Sequence, residues 1–344
     1  MDTLRLAVAG QAHAHVRGMV ATGLQELTDD VDALDTGGLW FVVGTFEGRW
    51  TCARFSQLRR TRAGPTAAAW PGVPSAAWAS SLQETPYVHA VEQVRGLIAD
   101  GEVYQVNLCR VLSSPVLSEA DLADLHARLS AGNPARYAAR IFLPEAGIDL
   151  VSASPELFLR RDGEVLWSSP IKGTGRTAED LTDKDVAENV MIVDLVRNDL
   201  GQVCRPGTVT VEDILSVEQL PGLVHLVSTV RGRLAPGTSW AHILGATFPP
   251  GSVSGAPKST AVRTIRALEP TARGPYCGAI GWVDGDRHRA ELAVGIRTFW
   301  RAHDRLHFGT GAGITWGSDP RREWLETELK AARLLRLATT EGER

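Results

Sequence analysis

The sequence predicts an α+β fold, with antiparallel strands stacked as a sandwich and helices interspersed among them. Three observations lead there. Short runs rich in β-branched and aromatic residues recur along the chain with turn residues between them, as at Tyr137–Phe142 and Gly147–Val151. Asp162-Gly163 stands between two such runs and is a hairpin dipeptide. No regular strand–helix alternation and no short-period repeat occurs, which excludes a parallel barrel and a solenoid.

Taken in order, residues 37–46 (GGLWFVVGTF) read as a buried strand. From Ser56 to about Thr85 the chain is rich in Ala, Pro, Gly, Ser and Arg, the composition of a long surface excursion. Val88, Val91, Val94, Leu97 and Ile98 have helical spacing over 86–100, and Val103–Leu112 reads as the next strand. A helix near 119–131 precedes strands at Tyr137–Phe142, Gly147–Val151, Glu156–Arg160 and Val165–Ser168. A long helix is expected over 178–199, then strands at Val209–Leu215 and Leu223–Leu234, and helices at Trp240–Thr247 and Lys258–Leu268. Strands at Tyr276–Val283, Arg289–Trp300 and Leu306–Gly311 lead to a last helix from about Asp319 to Leu337, with Pro320 suited to its first turn. Nothing between Pro86 and Leu337 is polar or long enough to divide domains. The expectation is one principal domain over 86–344, with residues 1–85 a smaller flank packed on it.

Composition narrows the function. The chain has 344 residues, 44% hydrophobic and 22% charged, which is ordinary globular usage. A net charge of −4 supplies no basic excess for nucleic acid or an anionic membrane, while a small anionic substrate needs only a few local cations. Cys52, Cys109, Cys204 and Cys277 are far apart in sequence, so neither a zinc site nor a disulfide framework is expected. Free thiols suit a reducing cytoplasm. No apolar run is long enough for a signal peptide or a membrane span.

Several residues carry candidate chemistry. Gly309-Thr310-Gly311-Ala312-Gly313 follows a strand but lacks the βαβ unit of a dinucleotide site. Gly251-Ser252-Val253-Ser254-Gly255-Ala256-Pro257-Lys258 fails the phosphate-loop spacing, although its glycines and the following helix start still suit an anion. Asp185 and Glu188 share a helix face three residues apart, and Glu323 and Glu326 repeat the arrangement. They read either as two solvated acidic faces or, if the helices meet, as oxygen ligands for Mg²⁺. Lys172, in a loop between Pro170 and Gly173, is a surface charge or, with a lowered pKa, a nucleophile to which Arg176 lends its charge. Glu156 begins an apolar strand, where burial would keep it protonated as a general acid; an edge charge paired with arginine is the alternative. His225 lies in an apolar strand pattern, and His13 and His15, at a frayed-looking terminus, receive no role.

In combination these pieces are specific. Gly101–Leu108 (GEVYQVNL), Ser152–Leu157 (SASPEL), Pro170–Thr174 (PIKGT), Glu188–Asp199 (ENVMIVDLVRND), His225–Ser228, Ser254–Lys258 (SGAPK), Gly295–Thr298 (GIRT), Gly311–Ile314 and Glu326-Thr327 with Lys330 resemble the chorismate-utilising enzymes over about residues 86–337. The resemblance implies a two-sheet β-sandwich flanked by helices, with chorismate and Mg²⁺ in a cleft of the 86–344 domain. It implies Glu188 and Glu326 as the main Mg²⁺ ligands, with Asp185 and Glu323 near or water-mediated. Substrate would be held by Arg297, Tyr276, Lys330 and the backbone of Gly311, Ala312 and Gly313, with Gln105, Thr174, His225 and Ser252 lining the pocket.

Two positions discriminate within the family. Its water-adding members carry a lysine base where Gln105 stands, and its anthranilate-forming members carry alanine where Lys172 stands. The pair therefore resembles the branch that aminates chorismate to 4-amino-4-deoxychorismate for p-aminobenzoate and folate, with Lys172 as covalent nucleophile and Glu156 as acid. That branch takes ammonia from a separate glutamine amidotransferase subunit, so such a partner is implied. Gly175-Arg176-Thr177 departs from the family's usual Arg-Pro-Arg after PIKGT. The Leu-Leu-Glu-Ser motif of tryptophan-sensing relatives is not found, so feedback by tryptophan is not expected.

Overall fold

The computed structural model describes residues 11–61, 70–175, 177–220 and 223–340. The α+β expectation holds, and the strands run antiparallel throughout the pairings that build the sheet. One continuous path of hydrogen-bonded neighbours can be followed. It begins with Gln105–Pro115, Arg305–Ile314, Thr298–Ala302, Ile148–Ser154, Tyr137–Leu143 and His13–Val16. It continues through Met19–Thr28, Trp50–Arg60, Leu39–Gly44, Ala279–Asp284 and Arg289–Val294. It ends with Leu157–Asp162, Val165–Ser169 and Leu223–Arg233, the last also pairing Ile171–Gly175 and Thr210–Leu220. The two layers of the sandwich are thus halves of one curled sheet. Right-handed strand twist accumulates over so many strands until the sheet folds over its own apolar face. Ile141, Leu108, Trp40, Phe41 and Ile280, drawn from both halves, share one core. Each such side chain contributes about 1.5–3 kcal/mol when fully buried.

Helices cover the outside. Tyr87, Ala90, Val91 and Val94 make the buried stripe of Glu84–Ala99. Trp324, Thr327, Ala331, Leu334 and Ala338 make that of Pro320–Ala338, capped by Asp319 with Pro320 in the first turn. Among the described residues no helix is long and apolar enough to cross a membrane.

Several expectations need correction. His13 and His15 are not frayed; they lie in a strand paired on both sides. The excursion expected from Ser56 starts later, because Trp50–Arg60 continues as a strand whose outer half is exposed and polar. Residues 62–69 of that excursion lie outside the described residues. Arg289–Trp300 is two strands, broken at Arg297, whose φ of 52° no strand tolerates. The long helix starts at Asp183, after a short 3₁₀ turn at Ala178–Asp180.

Candidate active site

The two ends of the curled sheet meet at one seam, and most of the candidate residues gather there. Lys172 is not in a loop. It lies in strand Ile171–Gly175, opposite Leu226, and the register slips between Lys172 and Thr174. Gly173 sits at this bulge with φ of 79°, and a Cβ there would stand 2.9 Å from the Cβ of Asp185. Only glycine serves here, and the bulge re-aims the lysine beside it. The Lys172 ammonium reaches across the seam to Arg305–Ile314, the strand beside the far end strand. It would lie 3.3 Å from a Cβ at Gly313 and is 4.0 Å from Glu188 Oε2.

Strand Arg305–Ile314 makes room for that approach. Gly309, Gly311 and Gly313 alternate along it and so share one face. Side chains at these positions would strike the Tyr276 ring, the Cys109 sulfur and the Gln105 amide, at 2.1, 2.5 and 2.3 Å. Ala312 faces the other way, into the core. Gln105 is 1% exposed, and its Oε1 has no hydrogen-bond partner among the described residues. Tyr276 is buried further along, its hydroxyl 3.8 Å from Cys109 Sγ. Lys330 Nζ donates to the Gly311 carbonyl at 3.2 Å and pairs with Glu326 at 2.6 Å. The Thr174 side chain and Arg176 lie outside the described residues.

Glu156 stands between strands Ile148–Ser154 and Leu157–Asp162. Burial pushes its carboxyl up to about 7, against the opposing pull of the Ser252 hydroxyl, Lys172, the Ile171 backbone N–H and Arg297. Its carboxyl is thus poised near neutrality. Arg297 is held at positive φ, a conformation costing on the order of 1 kcal/mol, and so faces Glu156 from a strand break. Burial, then Arg297, pushes His225 down to about 4 against a backbone hydrogen bond at Gly173, so the ring is neutral at pH 7. A general acid must be protonated to act. Under the general-acid reading of Glu156, turnover is expected to fall above about pH 7, and Glu156→Gln to lose that limb along with about 10²–10⁴ of the rate, read from paired pH–rate profiles.

The acidic residues converge from two helices, Asp183–Gly201 and Pro320–Ala338. Asp185 closes the capping box of the first helix, its Oδ2 accepting from the Thr182 N–H at 2.8 Å and hydroxyl at 2.7 Å. Glu323 is 3% exposed, and its Oε2 has no partner among the described residues. Burial raises the Glu188 pKa, with Lys172 and Lys184 opposing. No three acidic, histidine or cysteine groups are gathered as a metal cage among the described residues. The Lys184 ammonium lies between two of them, 2.9 Å from Glu323 and 3.6 Å from Glu188. Glu188, Glu323 and Glu326 are an oxygen-only donor set with one orphaned buried carboxylate oxygen, which suits Mg²⁺, and they would be the residues to hold it. Lys184 was not among the sequence candidates; its signal was a lysine in a helix's first turn, four residues before Glu188.

A family model described as chorismate binding enzyme matches residues 47–336. Anthranilate synthase component 1 of Streptomyces coelicolor is 40% identical over 306 residues, 82% of this chain and 59% of that protein. Aminodeoxychorismate synthase component 1 of Bacillus subtilis is 36% identical over 266 residues, 74% of this chain and 56% of that protein. The chain thus spans between half and two thirds of the length of these curated relatives. Among solved structures, the menaquinone-specific isochorismate synthase of Escherichia coli matches with a TM-score of 0.82 at 20% identity, over 96% of this chain and 88% of that one. Anthranilate synthase component I of Streptococcus pneumoniae matches at 0.77 and 22%, over 98% and 95%. At these identities the two structures speak for the fold. The matched model covers most of the chain, and the chain belongs to the chorismate-binding enzyme family.

Proposed function

We propose that the chain is the chorismate-aminating component of an aminodeoxychorismate synthase, working with a glutamine amidotransferase partner in the cytoplasm and feeding p-aminobenzoate formation. The observation that carries this reading is Lys172, aimed across the seam at a face cleared by glycine, with an acid near neutrality close enough to feel its charge. Lys172, once its ammonium has given a proton to solvent, bonds through its nitrogen to C2 of the chorismate ring as the C4 hydroxyl leaves. Glu156 gives that hydroxyl its proton, so the leaving group is water. Ammonia then bonds to C4, the ring double bonds shift back, and the Lys172 nitrogen departs from C2. Gln105 has no basic nitrogen to activate a water, and its unpartnered Oε1 is an acceptor for an N–H nucleophile. Arg297 and Lys330 suit the substrate carboxylates. Glu188, Glu323 and Glu326 would hold Mg²⁺, which would supply neutralising charge for a substrate carboxylate.

The second reading is an anthranilate synthase, favoured by the 40% identity to the Streptomyces enzyme. Incubation with chorismate, Mg²⁺ and ammonium separates the two. Aminodeoxychorismate is the expected product; fluorescent anthranilate in its place would establish the second reading, and no turnover would exclude both.

A further inference from the structure

Lys184 has no part in the reaction above, yet its position is one that a helix disfavours. It is the second residue of Asp183–Gly201, where the unpaired N–H groups and the helix dipole repel a cation. It is held there by acids from two helices. Its ammonium donates to Glu323 Oε1 at 2.9 Å and stands 3.6 Å from Glu188 Oε1, joining the two carboxylates across the seam. Burial works against its charge, but Glu323, Glu188 and Glu326 more than offset this and raise its pKa. The side chain is 42% exposed, so the ammonium has a path to solvent.

The second oxygen of Glu323 points independently to a ligand. It is buried and has no partner among the described residues, so Lys184 satisfies only half of that carboxylate. A monovalent ammonium with three donors compensates this pair incompletely; a dication with several coordination positions completes it. Both cations need the same oxygens, and the two charges repel.

We propose that Lys184 is a tethered counter-cation that holds Glu188 and Glu323 together in the metal-free protein, gives way when Mg²⁺ enters, and thereby sets how tightly the ion binds before substrate arrives. It is a positioning residue, acting through the two glutamates. The proposal rests on the reading of these glutamates as the metal site, and not on which chorismate reaction follows.

The test is a Mn²⁺ titration of the whole chain without chorismate, following loss of the free-ion paramagnetic resonance signal. Lys184→Met is expected to bind Mn²⁺ at least about tenfold more tightly than the unaltered chain, because the competing charge is gone. Lys184→Arg, which keeps the charge, is expected to stay within about threefold. Without metal the Met variant is expected to melt at a lower temperature, and saturating Mn²⁺ to close that gap. Lys184→Gln, which keeps a hydrogen bond to Glu323, is judged by the same affinity criterion and serves if the Met variant does not fold. Unchanged or weaker Mn²⁺ binding in a folded neutral variant overturns the proposal. Absence of Mn²⁺ binding in every form overturns it together with the metal assignment. A chain that binds Mn²⁺ as expected but releases anthranilate overturns only the reaction assigned above.

Discussion

Lys172→Ala is expected to lower aminodeoxychorismate formation by at least about a thousandfold, or about 4 kcal/mol of transition-state stabilisation. The lysine is 12% exposed at a seam where its recorded ion pair is the 4.0 Å approach to Glu188. Its loss removes little that holds the fold together. Glu188 retains Lys184 as a neighbour, so the variant does not strand an uncompensated buried charge. The bulge at Gly173 and the pairing of Ile171–Gly175 with Leu223–Arg233 are made by backbone and survive the change. A thermal melt close to that of the unaltered chain, beside a product assay by liquid chromatography, separates lost chemistry from lost structure. Anthranilate released by the variant would mark direct attack of ammonia at C2. Unchanged aminodeoxychorismate formation would refute the covalent route.

Glu188→Ala is expected to weaken Mg²⁺ binding at least about tenfold and to remove most turnover with it. The reasoning is geometric. Glu188 reaches the seam from the second turn of its helix, and the packing of Asn189, Ile192 and Val193 beside it fixes the helix against the sheet. Asn189 donates to the Leu226 carbonyl at 3.1 Å and accepts from the Ser228 hydroxyl, locking the helix to the strand that also pairs Lys172. The carboxylate and the lysine are therefore positioned by one rigid unit. Removing the carboxylate leaves Glu323 and Glu326 on the other helix to hold the ion alone. Calorimetric titration of Mg²⁺ in the presence of chorismate reads the change, and unaltered affinity would show that Glu188 is not a ligand.

How much of this was legible in the sequence depended on whether the signal was local. The hairpin at Asp162-Gly163 joins Leu157–Asp162 to Val165–Ser169, and Gly163 takes the positive φ that a short hairpin turn demands. The last helix likewise follows from its cap, its proline and its apolar stripe. Lys172 was harder to place. Its strand is short, bulged and made by pairing with a strand more than fifty residues away, so nothing in Pro170–Gly175 alone distinguishes it from a loop. The closure of the sheet through His13–Val16 was invisible for the same reason, since a four-residue strand is defined by its two partners. Thr182 and Asp185 show the opposite case, because the capping-box spacing was present while the carboxylate was read as a solvated charge or a ligand. Lys184 escaped attention because a lysine among acids on a helix reads as an ordinary surface pair until the second helix arrives.

The site's chemistry became readable only when separate motifs were taken together. Gln105, Lys172 and Gly313 are far apart in sequence, and each is unremarkable alone. They come together because the sheet curls until its end strands face each other. The most direct test of the account is intact-protein and peptide mass spectrometry after mixing the chain with chorismate and Mg²⁺, with ammonia excluded. The account predicts an adduct of chorismate less one water on the peptide carrying Lys172, discharged as aminodeoxychorismate when ammonium is added. Aminodeoxychorismate formed with no adduct at Lys172, under conditions that trap a slow intermediate, would contradict it.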